Sequence, residues 1–506
     1  MSSAALVQLM ATGASDASII DPVKGATLWS MSVKPHTPFS MESVELVFNG
    51  VADFNKTATV DLVRSCDLMY SMHLQVTLPS ITINTASCGF SWARDFGHKM
   101  INNVFITVGS LQIDKHYGPW LAIWAQLTLD SNKHSGYGRM VGDSNMTNDA
   151  LTRKMFGKCT GFSNADFAAA DTTKTTGGAG YLPTTMLYVP LQFWFNRVPG
   201  LALPLVALQF HQVRLQFTFN DIGTLNGVFT NSTTPAAVVS AGTNAATSIS
   251  NIVAASKCGA FSSSALSGLT SIRLFGTNIN LGAPERTAFA TNQQKYLIEQ
   301  LQYSSGDNIS SASQTVRLQL SHPVKFLAWT ARPTVTSADA DSHDFQIYSS
   351  TETAALTPTL MGSGAASTGA VLSNALYTGA PNALTSAALV GAPCGVSPLS
   401  LVGLKFNSSD RFLSRDGSYF NLVQPYDHFP VIPRDAGIHV YSFALDPIRS
   451  QPTGSANFSR LDTVSMVLAP RCTASLGTNP LQFSYYALNL NTFVVSGGMG
   501  GIAWAN

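Results

Sequence analysis

Ten histidines are the first place to look for chemistry in this 506-residue chain, because a neutral imidazole ligates metals and moves protons near neutral pH. They are spread singly. His36, His73, His98, His116, His211, His322 and His439 fall in or beside alternating stretches, and no H-x-H or H-E-x-x-H spacing occurs. Six cysteines stand at 66, 88, 159, 258, 394 and 472, with no C-x-x-C pair and no histidine at zinc-site spacing. Most are expected as reduced thiols. A Cys66–Cys88 bridge across two strands is geometrically open, but no sequence feature argues for it. Serine, histidine and aspartate are plentiful, yet no G-x-S-x-G elbow presents a nucleophile. Glycoside hydrolysis needs two placed carboxylates, and no spacing here marks such a pair.

Three further stretches could be mistaken for sites. The glycine-rich GGMGGIAWAN at 497–506 has no following Lys-Ser/Thr and no following helix, so it reads as a turn with Trp504 anchoring the terminus. Ser414-Arg415-Asp416-Gly417-Ser418, near Asp410 and Arg411, reads as a hairpin turn at Asp-Gly flanked by exposed charges. Six N-x-S/T sequons occur, at Asn55, Asn145, Asn231, Asn308, Asn407 and Asn457. Asn231, Asn308 and Asn407 are the candidate glycosylation sites, Asn231 first because it falls in an expected exposed loop. No catalytic residue, metal ligand or cofactor is expected.

The elements that would hold any such residues are strands. Residues 188–219 read YVPLQFWFNRVPGLALPLVALQFHQVRLQFTF. The first half is almost wholly apolar, broken by Pro190, Pro199, Gly200 and Pro204, with a turn at Asn196–Gly200. The second half alternates: Val213, Leu215, Phe217 and Phe219 face one way, Gln212, Arg214, Gln216 and Thr218 the other. Similar β patterns recur at 43–48, 72–78, 104–113 (turning at Gly109-Ser110), 272–281, 296–303, 316–320, 326–330, 401–406, 439–443, 464–468 and 481–490. Many short strands separated by Gly, Pro and Asn turns indicate an all-β sandwich or barrel. Two helices interrupt them, Gly118–Leu129 and Ala283–Gln294, each with proline at its favoured first position. Residues 221–268 and 351–399 are rich in Ala, Ser, Thr, Gly and Asn, nearly uncharged, and read as long surface loops.

Composition narrows the function class. Charged residues make up 11% of the chain, against roughly 25% in a soluble domain. No run of about 18 apolar residues marks a membrane span. A surface so poor in charge fits one covered by copies of itself or by partners. The net charge is +1, with no basic field for a nucleic-acid backbone, so no direct nucleic-acid binding is expected. The opening MSSAALVQLMATGASDASII lacks the basic and apolar regions of a secretory signal, and its weak alternation suggests an arm.

Several blocks in order resemble the major capsid proteins of nucleocytoplasmic large double-stranded DNA viruses, of the iridovirus and phycodnavirus kind. PLQFWFNRVPGLALPLVALQFHQVRL is the strongest. WSMSVKPHTPF at 29–39 is similar to the family's opening strand, with Lys34-Pro35 in place of a basic pair. LGAPERTAFATNQQKYLIEQL at 281–301 looks like its linker, with Gly282 and Ala283 where the family has acidic residues. His322–Lys325, Asp410–Phe412, Tyr419–Asn421, Gly437–Leu445, Gln451–Gly454, Asn457–Arg460 and Met499–Gly501 with Ala503 continue the match.

The resemblance implies two consecutive eight-stranded antiparallel jelly-roll sandwiches with long inserted surface loops and short helices. On that reading 1–27 is an N-terminal arm, 28–281 the first jelly roll, 282–294 a helical connector and 295–506 the second, with loops at about 221–268 and 335–400. It further implies a structural, non-enzymatic protein: a homotrimeric, pseudo-hexagonal capsomer of the outer virion shell, assembled in the host cytoplasm. Its partners would be itself and neighbouring capsomers, minor capsid and penton proteins, and an internal viral membrane near the N-terminal arm. The competing reading from the residues is a secreted-type carbohydrate-binding or carbohydrate-active β-sandwich, which predicts a concave aromatic site with two carboxylates.

Overall fold

The computed structural model describes residues 3–11, 29, 33, 35–79, 81–83, 88–92, 94–143, 146–147, 155–156, 180–182, 184–220, 226–230, 271–333, 397–471 and 480–504. Met1–Phe39 and Ser40–Asn506 are separate compact units. In the first, Ser3–Met10 is a helix. The weak alternation there gives way because SAALVQLM is built mostly of strong helix formers.

The remainder is mostly strand. The chain runs through β1 (Phe39–Leu46), β2 (Phe48–Asn49), β3 (Thr57–Leu62), β4 (Leu68–Leu78), β5 (Ile81–Ile83), β6 (Cys88–Trp92), β7 (Ile101–Val108), β8 (Leu111–Tyr117), β9 (Gly180–Leu182), β10 (Thr185–Pro190), β11 (Leu203–Pro204), β12 (Val213–Phe219), β13 (Asn226–Thr230) and β14 (Ser271–Leu281). It continues through β15 (Gln294–Ile309), β16 (Gln314–Leu318), β17 (Pro323–Pro333), β18 (Leu399–Phe406), β19 (Ser409–Asp416), β20 (His439–Ser442), β21 (Ala456–Asn457), β22 (Val464–Pro470), β23 (Leu481–Ser496) and β24 (Met499–Ile502).

These strands make two sandwiches of the same winding. In the first, β1-β14-β4-β10 faces β2-β3-β12-β7-β8; in the second, β15-β23-β17-β20 faces β16-β22-β18-β19. Counting only the eight strands of each main ladder (β1, β3, β4, β7, β8, β10, β12, β14 in the first; β15, β16, β17, β18, β19, β20, β22, β23 in the second), each sandwich joins its first, last, third and sixth strands in one sheet and its second, seventh, fourth and fifth in the other. That is jelly-roll order. The count exceeds the expected eight, because short strands attach at the margins (β2 and β11 in the first sandwich, β21 and β24 in the second) and two separate ribbons, β5-β9 and β6-β13, are added in the first half. The duplication that residue identity does not reveal is therefore plain in the strand order.

Alternation drives each core. Val213, Leu215, Phe217 and Phe219 of β12 are buried as their spacing predicts, against Leu74 and Val76 of β4 and Leu187 and Val189 of β10. In the second sandwich, Val316, Leu327, Trp329, Val402, Met466 and Phe483 close the equivalent core. Buried apolar area contributes about 25 cal/mol per Å², so these faces supply most of the stabilisation.

Several local expectations need correction. The stretch 221–268 contains a strand, β13, which pairs with β6; the rest of it, and 334–396, lie outside the described residues. The helix at Ala283 ends at Thr291, because Asn292 is already extended and Gln294 starts β15. The hairpin near Asp416-Gly417 turns elsewhere, at Asn407-Ser408. Both residues have positive φ (48° and 70°), the conformation of a tight two-residue turn. Asp416 ends β19, and Gly417 leads into a helical segment. Cys66 is a buried free thiol rather than half of a bridge, and burial pushes it up to about 11. Trp504 does not anchor the terminus through its ring, which is 67% exposed. Pairing of β24 with β23 and a bond from Asn491 Nδ2 to the Trp504 carbonyl hold that end.

Candidate functional site

The most heavily built region outside the two cores is the junction between the sandwiches. Its centre is the helix Gly118–Thr128 (GPWLAIWAQLT), which follows β8. Almost every residue is apolar, so the helix must be covered on all sides. Leu121 enters the core of its own sandwich. Trp120, Ile123, Trp124 and Leu127 instead enter a cluster with Phe326 and Ala328 of β17, Tyr486 and Leu488 of β23, and Val440 of β20. Trp120 stacks on Tyr486 (5.7 Å between centroids) and on Phe326 (6.1 Å). Tyr117 meets Tyr303 at 4.2 Å, and burial together with Tyr303 raises its hydroxyl above the ordinary value.

Directional polar contacts fix this plug. Arg94 Nη2 lies 2.6 Å from Asp435 Oδ2, 341 residues on, and Arg94 Nε lies 3.4 Å from Asp143. Gln126 Nε2 donates to the same Asp435 oxygen at 2.7 Å, and its Oε1 accepts from the Asp435 backbone N–H. Burial raises the Asp435 carboxyl above its usual value, while Arg94 and Gln126 act to lower it. A second group is centred on Glu299, whose two oxygens take Arg197 Nη1 at 2.7 Å and Lys325 Nζ at 2.5 Å. Arg197 also lies 4.5 Å over the Trp124 ring. Arg197 ends a short helix, Trp194–Arg197, where a turn was expected, and it thus carries a tie between sandwiches. Further along, Phe210 N–H donates to Gly498 O, and Trp194 meets Phe493.

Removing one member of such a buried pair costs about 3–5 kcal/mol. Gross stability is not what these pairs add, because apolar substitutes of equal size often do as well. They supply orientation, since hydrogen-bond geometry is narrow where apolar contact is not.

The candidate glycosylation residues lie apart from the junction. Asn308 is exposed near the end of β15. Asn407 is exposed at the β18–β19 turn, where its side chain accepts from the Thr463 N–H at 3.0 Å. Asn231 lies outside the described residues. A groove of about 610 Å³ on the second sandwich is lined by His322, Asn457, Arg460, Asn491 and Trp504 among others. No carboxylate lines it, so it does not have the make-up that sugar hydrolysis needs. Among the described residues, no three His, Cys, Asp or Glu side chains are grouped to hold a metal ion.

Residues 285–501 match the family described as large eukaryotic DNA virus major capsid protein, and residues 27–254 match the major capsid protein N-terminus. The chain is 34% identical to the major capsid protein of Phaeocystis pouchetii virus, over 99% of each chain. It belongs to the major capsid proteins of large eukaryotic DNA viruses. The capsid protein of Paramecium bursaria Chlorella virus 1 is 28% identical, again over 99% of each chain. The crystal structure of PBCV-1 VP54, fitted into a reconstruction of the virophage Sputnik, superposes with a TM-score of 0.63 at 25% identity, covering 95% of this chain and 100% of that one. The fold is accordingly the double jelly roll of capsid proteins, and the role is structural rather than enzymatic. For a major capsid protein the functional site is its set of contact surfaces. The sequence flagged Trp194 and Arg197 only as part of an apolar run. Nothing local marked Arg94, Gln126 or Asp435.

Proposed function

We propose that three copies of this chain form a pseudo-hexagonal capsomer that tiles the outer shell of the virion. The observation that carries it is the junction: two sandwiches of identical winding are locked side by side in each chain, so three chains present six similar lobes. Six-lobed blocks pack hexagonally, and many weak lateral contacts then hold a shell through multivalency. In this reading 28–281 and 295–506 are the two lobes, 282–294 is their connector, and the arm 1–27 faces an internal viral membrane. Minor capsid and penton proteins occupy the positions that the trimer cannot fill, and assembly takes place in the host cytoplasm. The uncovered sequons Asn308 and Asn407, with Asn231, are the sites at which a glycan would decorate the surface. Family membership supports the membrane-facing arm and the auxiliary partners.

Light scattering coupled to size exclusion tests the trimer. The expected mass is three times 53.8 kDa, followed by hexagonal arrays under the electron microscope. A monomer at micromolar concentration would overturn it.

A further inference from the structure

The two sandwiches repeat one detail closely enough to identify a partner surface. In the first, β8 passes through Gly118 into the helix that plugs the junction. In the second, β19 passes through Gly417 into the helical segments Tyr419–Val423 and Gln424–His428. Both glycines press on a backbone carbonyl at the head of the neighbouring strand. A Cβ on Gly118 would lie 2.5 Å from Ile101 O, and one on Gly417 would lie 2.3 Å from Leu399 O. Ile101 and Leu399 are the first residues of β7 and β18.

Counting from these glycines aligns the two helical segments. Three residues on, Leu121 and Phe420 each enter their own core. Five, six and nine residues on stand Ile123, Trp124 and Leu127 in the first sandwich, and Leu422, Val423 and Tyr426 in the second. The first three are buried against the outer face of β17 and β23. The second three are 49%, 42% and 76% exposed.

The receiving face is duplicated as well. Phe326 of β17 sits opposite Leu488 and Ser442. His73 of β4 occupies the same place, opposite Phe275 and Pro190. Around it runs an aromatic stripe. His73 stacks on Phe275 at 5.4 Å and meets Tyr188 at 6.2 Å. Tyr188 donates to Met186 Sδ, and Met186 is 46% exposed.

We propose that Leu422, Val423 and Tyr426 of one chain seat on the Phe275–His73–Tyr188 stripe of a second copy, repeating between chains the contact that the Gly118 helix makes within one. The two surfaces differ, so the contact is head-to-tail and generates a ring when its rotation closes. The inference rests on the trimer reading and adds to it which surfaces meet.

The test uses the full chain. Light scattering compares wild type with the double variant Leu422→Asp/Tyr426→Asp and with Met186→Asp, and circular dichroism checks that each stays folded. A third variant, Tyr426→Cys/Met186→Cys, is oxidised and run on a non-reducing gel. The expected result is loss of the oligomer peak in both aspartate variants and a disulfide-linked ladder that either single cysteine variant lacks. Folded aspartate variants that keep the wild-type mass, with no ladder, would overturn the contact and leave the trimer standing. A monomeric wild type would overturn the trimer reading and this contact with it.

Discussion

The central strands of the two sandwiches occupy the same place in the fold but are buried differently. In the second sandwich, β17 (PVKFLAWTARP) is buried on both faces from Val324 to Ala331, and β23 is buried continuously from Phe483 to Asn489. In the first sandwich, β4 alternates between buried Met72, Leu74 and Val76 and half-buried His73, Gln75 and Thr77. One outer face lies under the Gly118 helix; the other keeps an alternating, polar-tinged surface. The difference teaches that a duplicated scaffold can cover one copy within the chain and leave the other available. A strand that is apolar at every position is covered on both sides, whereas one that alternates is covered on one.

The largest effect that would sharpen this comparison is at the polar lock. Asp435→Ala leaves Arg94 and Gln126 without their shared acceptor and is expected to cost about 3–5 kcal/mol, read from the denaturant midpoint. Replacing Arg94 and Asp435 together by apolar residues of similar volume should recover much of that loss. A single variant as stable as wild type would show that the lock does not hold the sandwiches.

Next comes the plug. Trp120→Ala removes the ring stacked between Tyr486 and Phe326 and should cost roughly 3 kcal/mol or more. Hydrogen exchange should quicken in β17 and β23 ahead of β4 and β14.

Acid offers a third probe. His439 of β20 is fully buried, bonds Ser397 Oγ at 2.8 Å, and is pushed down to about 4 by burial. An unfolded imidazole titrates near 6.5. Between those values only the unfolded state takes up the proton, so stability falls as pH drops from about 6.5 to about 4, by about 3 kcal/mol in all. His439→Phe should flatten that slope in denaturation curves taken at pH 7 and pH 4.5. An unchanged slope would place the acid sensitivity elsewhere.

The smallest effect belongs to the exposed helix. In the isolated chain Val423→Ala should stay within about 0.5 kcal/mol of wild type, although Trp124→Ala, its counterpart in the junction, does not. A large loss from Val423→Ala under dissociating conditions would mean that the helix is already covered within the chain.

Much of the fold was legible because sheet burial has a period of two. QVRLQFTF and MHLQVTL name their own inner faces. The double coverage of β17 was not legible, because Lys325 and Thr330 interrupt its apolar run although both are buried. The order of family blocks carried the double winding. Other features leave no local trace. Arg94 and Asp435 are 341 residues apart, and nothing in either neighbourhood records the other. The turn at Asn407-Ser408 lost to the stronger Asp-Gly signal nearby, because Gly417 is needed for close packing against Leu399 rather than for turning. Short β3 (TATVDL) does alternate, with Ala58, Val60 and Leu62 inward, but at six residues, with small Ala58 and two threonines in it, the contrast was too weak to stand out.

The lock around Asp435 and Glu299 has one more consequence, which concerns tolerance. A shell repeats a single block many times, so a small error in the angle between lobes is multiplied at every step. Apolar surfaces slide over one another at little cost. A guanidinium and an amide converging on one carboxylate oxygen, 2.6 Å and 2.7 Å away, do not. Those few bonds would act as a gauge, setting the angle in each copy before it meets the next.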